Sequence, residues 1–105
     1  MSPAPLATLM SMKAQTARDA KQLEDIPNIG PAMVRDFHLL GIHTPHDLVD
    51  KDPLQLYNTL SARTGARQDP CVLDTYLAAV DFMNGAPARP WWQYTPMRKS
   101  RYPEV

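Results

Sequence analysis

Residues 26–31 are of the types that build a tight turn at the start of a helix. Pro27 ends any helix that precedes it, because proline has no backbone N–H and its φ is fixed. Asn28 and Gly30 are the residue types that most readily adopt positive φ, and Pro31 suits the first position of a new helix. The first-turn amides of a helix lack intrahelical acceptors and carry partial positive charge. The pattern therefore predicts an anion site, with a phosphate group as the obvious ligand.

Basic side chains close to this turn in sequence could assist a phosphate, although neighbouring acidic residues offset part of their charge. A phosphate contact positions a protein on nucleic acid without reading the base sequence. The residues predicted to bind nucleic acid are Asn28, Ile29, Gly30, Ala32, Arg35 and Lys21. The alternative is that the turn is a corner between two helices, used only for packing or for contact with another protein.

The C-terminal segment combines aromatic and basic residues. Trp91 and Trp92 could form a stacking platform for unpaired bases. Alternatively, one or both of them fold back over the helical core, as large aromatic side chains do in small domains. Further contacts of this segment with nucleic acid are predicted for Arg98, Lys99 and Arg101.

The cysteine and the histidines do not form a pattern that is typical of an enzyme. Cys71 is expected at the second position of a helix, where the helix dipole can lower a thiol pKa, but an isolated cysteine is more often buried and inert. The three histidines, at positions 38, 43 and 46, do not have zinc-ligand spacing. There is no phosphate-binding loop, nucleophile elbow or dinucleotide fingerprint. We therefore expect no enzymatic activity, no cofactor and no metal.

The length of 105 residues indicates a single domain. Its formal net charge of zero argues against strong electrostatic binding of nucleic acid. The charge is uneven along the chain. Residues 85–105 carry four basic side chains and one acidic side chain, against seven basic and ten acidic in the other 84 residues. With one cysteine, no signal peptide and no apolar run of membrane-spanning length, the sequence predicts a cytoplasmic protein without a membrane partner.

Eleven prolines divide the chain into its predicted elements. Thr44-Pro45, Asp52-Pro53 and Asp69-Pro70 each pair a helix-capping residue with a first-turn proline. Glycines 41, 65 and 85 are placed to end helices. We predict five helices, at residues 14–25, 31–40, 45–50, 53–64 and 70–84. Residues 1–12 are expected to be a loose N-terminal segment, residues 13–85 the helical domain, and residues 86–105 a tail that packs partly on it.

The stretch at residues 23–37 resembles the helix-hairpin-helix motif, whose turn usually reads hydrophobic-Pro-Gly-hydrophobic-Gly. Asn28 replaces the first glycine of that pattern. Further matches across residues 20–100 resemble a bacterial family known as pathogenicity-locus or McrB-type mitomycin-resistance proteins. They are Leu39-Leu40-Gly41-Ile42, Asp47-Leu48, Asp52-Pro53, Leu56-Tyr57, Thr64-Gly65, Asp69-Pro70-Cys71-Val72-Leu73-Asp74 and Trp91-Trp92. The resemblance implies a compact all-α domain of the SAM-like, helix-hairpin-helix type with presumed DNA binding, and no established catalytic activity.

These observations predict weak, sequence-independent binding of DNA through the turn at residues 26–31. The alternative is a protein-interaction module, with a protein partner or a second copy of the chain meeting the hairpin and the Trp91-Trp92 segment. Zero net charge and the acidic body of the chain favour that alternative.

Overall fold

A computed structural model describes residues 13–105, so the segment 1–12 predicted to be loose lies outside the described residues. Within residues 13–105 the secondary structure is helical throughout, without a β-strand, which confirms the all-α class. This part of the chain contains four α-helices: α1 (Pro31–Leu39), α2 (Pro53–Thr64), α3 (Pro70–Met83) and α4 (Thr95–Arg101). Four short 3-10 helices accompany them, at Ala17–Asp19, Leu23–Asp25, Pro45–Leu48 and Trp91–Tyr94.

The helix starts follow the proline and cap signals. Proline occupies the first turn of all four α-helices. The Asp52 and Asp69 side chains cap α2 and α3 by accepting hydrogen bonds from Leu54 N and Cys71 N, at 3.0 and 2.9 Å. At the other end of α2, Gly65 adopts φ 72° and closes the helix in the left-handed conformation.

Helix α3 lies at the centre of the core. Ten of its fourteen residues are buried, so it is covered on most sides rather than along one stripe. Helix α2, the 3-10 helix Pro45–Leu48 and the C-terminal segment all pack against it. From α1, Phe37 stacks on Tyr76 of α3 with ring centroids 5.2 Å apart. No helix in the described part of the chain is both long enough and apolar enough to cross a bilayer.

The helix predicted at residues 14–25 is wrong. Two 3-10 helices occupy this stretch, and the backbone between them is extended at Ala20 and Gln22. The reason is local competition for backbone donors: the Asp25 carboxylate accepts hydrogen bonds from the amides of Lys21 and Gln22, at 2.9 and 3.0 Å. These two hydrogen bonds also lower the pKa of Asp25. Leu23 is the buried side chain of the two short helices, so no apolar stripe favours a longer helix.

Two other predicted elements also need correction. The helix predicted at 45–50 is a 3-10 helix of four residues, because Val49 leaves the helical region with ψ 129° and Asp50 adopts φ 61°. The segment after Gly85, read as an aperiodic tail, contains the 3-10 helix Trp91–Tyr94 and α4. Its Thr95-Pro96 pair repeats the Thr44-Pro45 start signal, which could have predicted this helix. Over residues 13–105 the count is therefore four α-helices rather than five.

Candidate nucleic-acid interface

The turn at residues 26–31 is fixed to the core by two isoleucines. Ile26 and Ile29 are 0% and 1% exposed. The Ile29 amide donates to the Ile26 carbonyl at 3.2 Å, so it is not among the free donors that the sequence predicted. Asn28 adopts φ 74°, as expected, but Gly30 does not: its φ of −110° and ψ of −175° are extended backbone. The turn therefore needs one left-handed residue, and asparagine supplies it.

Several amides at the start of α1 are left without an acceptor. Among residues 13–105, no oxygen accepts a hydrogen bond from the amides of Gly30, Ala32 or Met33. Gly30 is the N-cap of α1 and has no side chain that could fill this role, in contrast to Asp52 and Asp69 at α2 and α3. As far as the described residues go, the first turn of α1 thus combines donors that have no acceptor with the positive end of a helix.

Lys13 contacts the turn from its other side, and sequence reasoning did not predict this contact. Its ammonium group donates to the carbonyls of Glu24 and Ile29, at 2.5 and 2.6 Å. The carbonyl of Ile29 and the N–H of Gly30 belong to one trans peptide and point in opposite directions. Lys13 therefore orients the peptide so that the Gly30 N–H faces away from the lysine.

Asn28 joins the turn to the C-terminal segment through its side chain. Its Nδ2 donates to the Arg89 carbonyl at 2.8 Å, and its Oδ1 accepts from the Trp91 amide at 3.3 Å. In the structure both polar ends of its side-chain amide contact the chain 61 to 63 residues away. The hairpin and the tryptophan segment, separate in sequence, become neighbours.

We expect Asn28→Gly to loosen this connection without straining the turn, because glycine accepts φ 74° freely. Two partly exposed hydrogen bonds are lost, so the free energy of unfolding should fall by about 1 kcal/mol. Amide hydrogen exchange at Trp91 should accelerate more than exchange at Leu60 in the α2 core. Unchanged exchange at Trp91 would show that the Asn28 side chain does not hold the segment.

The two tryptophans differ from the other aromatic side chain of their 3-10 helix. Trp91 and Trp92 are 38% and 59% exposed, whereas Tyr94 is buried. Tyr94 therefore makes the packing contact with the core that the sequence offered as one role for the tryptophans. Lys99 and Arg101, on α4, are exposed.

Arg98 lies in a buried cluster rather than on the basic surface predicted for it. Its Nε donates to Asp74 Oδ1 at 2.9 Å, and Thr95 Oγ1 donates to Asp74 Oδ2 at 2.7 Å. Asp74 is 1% exposed and Arg98 is 9% exposed. The pair ties α4 to the central helix α3, so the Arg98 charge is compensated inside the protein.

The two basic residues predicted to assist at the hairpin have different positions. The Lys21 ammonium group donates to the Arg18 carbonyl at 3.2 Å, within its own local turn. Arg35 is exposed on α1, one turn beyond the free amides, and has no ion-pair partner among residues 13–105. Arg35 is the better placed of the two to approach a phosphate at the start of α1.

Cys71 sits in the first turn of α3, as the sequence predicted, but its environment opposes a reactive thiolate. Burial, followed by the hydrogen bond and the negative charge of Asp69, raises the pKa of the Cys71 thiol. The capping carboxylate therefore outweighs the helix dipole that could have lowered it.

Slow alkylation of Cys71 is the expected consequence. A raised pKa lowers the thiolate fraction at pH 7.5, so iodoacetamide should label the native protein more slowly than the protein unfolded in guanidinium chloride. Mass spectrometry over a time course measures both rates. Faster labelling of the native protein would contradict this account and revive a thiol-dependent role.

A cleft of about 520 Å³ lies at the opposite end of α1 from the hairpin. Its lining combines apolar side chains such as Leu40, Ile42 and Leu56 with charged ones such as Lys51 and Arg63. Arg63 is already engaged, since its guanidinium donates to the Leu39 carbonyl at the end of α1. The cleft provides a reference site for the experiments below.

The fold and this surface define an all-α domain in which an uncapped helix start adjoins an exposed tryptophan pair. Residues 16–100 match a family model described as Pathogenicity locus (Cdd1), and the chain belongs to this family. The chain is also 48% identical over 84 residues to a Streptomyces lavendulae protein named mitomycin resistance protein McrB, with 80% of each chain covered. No solved structure matches the chain significantly. The resemblance noted from sequence is confirmed at the level of the family. The helix-hairpin-helix motif is not, because 3-10 helices replace the first helix of the expected pair.

Proposed function

We propose that the protein binds the backbone of nucleic acid, most simply DNA, weakly and without reading its sequence. The observation that carries the proposal is the start of α1, where the amides of Gly30, Ala32 and Met33 find no acceptor within residues 13–105. A phosphate oxygen is a matched ligand for such a group of donors. The family names specify no reaction, so the argument rests on this geometry.

The charges around the turn predict modest affinity. Arg35 is exposed beside the free amides, and the Asn28 side chain brings the Arg89 segment next to them. Lys99 and Arg101 add positive charge on α4, but the chain as a whole has a net charge of zero. A protein that contacts two or three phosphates binds weakly and shows a shallow dependence on salt.

A protein-interaction module remains the second candidate, because large apolar side chains are exposed in the described part of the chain, at Leu39, Trp91 and Trp92. The partner in that case is another protein or a second copy of the chain. We propose no catalytic role, since the raised thiol pKa of Cys71 removes the nucleophile considered from the sequence. The single cysteine suits the reducing cytoplasm, where we place the protein.

Fluorescence anisotropy of a labelled oligonucleotide, titrated with the protein at about 50 and 200 mM salt, tests the proposal. For two or three phosphate contacts we expect the affinity for duplex DNA to fall about 10- to 40-fold over this range. Absence of binding at low salt would refute the proposal. Binding that is unchanged or strengthened at high salt would instead favour apolar association.

A further inference from the structure

Trp91 and Trp92 are the most exposed aromatic side chains of a segment that otherwise contributes to the core. They share a four-residue 3-10 helix with Tyr94, which is buried. A 3-10 helix has three residues per turn, so Trp91 and Tyr94 lie on one side and Trp92 lies a third of a turn away. The sharing of a side with Tyr94 explains why Trp91 is the less exposed indole, at 38% against 59% for Trp92.

The backbone that carries the two indoles is anchored on both sides. Before them, the Asn28 side chain bonds to the Arg89 carbonyl and the Trp91 amide. After them, Thr95 Oγ1 donates to the buried Asp74 carboxylate at 2.7 Å. The indoles are therefore presented from a fixed backbone, which lowers the entropy cost of contacting a ligand with their faces.

The charge of the C-terminal segment indicates which class of ligand the indoles would bind. Between Asp81 and Glu104 the chain contains no acidic residue, but it contains three basic residues besides the paired Arg98. These are Arg89, Lys99 and Arg101, and all three are exposed. Exposed indoles and exposed basic side chains in one segment are complementary to nucleotides, whose bases stack on aromatic rings and whose phosphates attract cations. Binding to an apolar protein surface would not require positive charge on this segment.

We infer that Trp92, assisted by Trp91, stacks on an unpaired base while an adjacent phosphate is held at the start of α1. The inference rests on the proposed function and names its ligand: nucleic acid with a single-stranded segment. Asn28 supports this coupling, because the residue that shapes the turn also bonds to the Trp91 amide. In a duplex the base faces are covered by stacking within the helix, so an indole can reach them only where a strand is unpaired.

The test compares three labelled probes of common sequence: a single strand of about 12 nucleotides, the blunt duplex, and a duplex with a single-stranded overhang. We expect the single strand and the overhang probe to bind more tightly than the blunt duplex and to quench tryptophan fluorescence. Trp92→Ala should weaken single-strand binding about tenfold and leave blunt-duplex binding within about twofold. Leu39→Ala is the matched control, because it removes an exposed apolar side chain at the opposite end of α1 and should change neither affinity.

Three outcomes would overturn the inference in distinguishable ways. Equal affinity for all probes, with no effect of Trp92→Ala, refutes stacking but leaves backbone binding intact. Failure of every probe to bind refutes both proposals. If Trp92→Ala changes only the mass measured by sedimentation equilibrium, the tryptophan pair is an interface between copies of the chain.

Discussion

Asp74→Ala is expected to lower the free energy of unfolding by about 3 kcal/mol or more. The substitution removes the acceptor of hydrogen bonds from Thr95 and Arg98, at 2.7 and 2.9 Å. It removes the hydrogen-bonded counter-charge of Arg98, a residue that is only 9% exposed. An unpaired buried charge is more costly than the loss of an ordinary hydrogen bond. Urea denaturation followed by circular dichroism measures the change.

Two controls separate the buried ion pair from an ordinary helix cap. Asp52→Ala removes an exposed carboxylate that caps α2 and should cost only about 1 kcal/mol. The double variant Asp74→Leu/Arg98→Leu should recover part of the lost stability, because no uncompensated charge remains. If Asp74→Ala costs no more than Asp52→Ala, the pair does not anchor the C-terminal segment.

Gly30→Glu is expected to reduce the affinity for DNA about tenfold or more while the protein stays folded. Its backbone is extended at φ −110°, and a Cβ atom at this position would meet nothing within 4 Å. A carboxylate at the start of α1 interacts favourably with the helix dipole, so stability should be unchanged or slightly raised. The same carboxylate repels a phosphate and competes for the free amides of Ala32 and Met33, removing charge-assisted hydrogen bonds.

Gly30→Gln is the matched control, because glutamine has the size of glutamate without its charge. We expect Gly30→Gln to retain affinity within about threefold, with both variants melting within a few degrees of the parent protein. Anisotropy titrations at low salt compare the three proteins. Equal affinity of the glutamate and glutamine variants would place the nucleic-acid contact elsewhere.

Proline and cap signals were sufficient to predict α1, α2 and α3 to within one residue of their ends. Each signal is local: Asp52-Pro53 and Asp69-Pro70 set the first turns of α2 and α3, and Gly65 ends α2. The prediction of a helix at residues 14–25 failed for a local reason that is also visible in the sequence. Gln22 and Asp25 have the spacing of a capping box, like Thr44 and Asp47, and each pair begins a short 3-10 helix.

The arrangement of the candidate site could not be predicted, since it depends on contacts between distant positions. That Asn28 bonds to Arg89 and Trp91 requires knowledge of how the chain returns past the hairpin. Arg98 illustrates the same limit, because a basic residue among others in a terminal segment suggests a solvated surface. Arg98 is buried because it pairs with Asp74, 24 residues earlier. The sequence predicts that Asp74 lies on a helix, but not which side chain it meets.

The most direct test of the account is an NMR titration of the isotope-labelled protein with a short single-stranded oligonucleotide. Backbone amide shifts should change most at Gly30, Ala32 and Met33, and the Trp92 indole N–H should move with them at the same apparent affinity. Amides lining the cleft at the opposite end of α1, such as that of Ile42, should stay constant. Shifts confined to that cleft, or no shifts at low salt, would contradict binding at the hairpin.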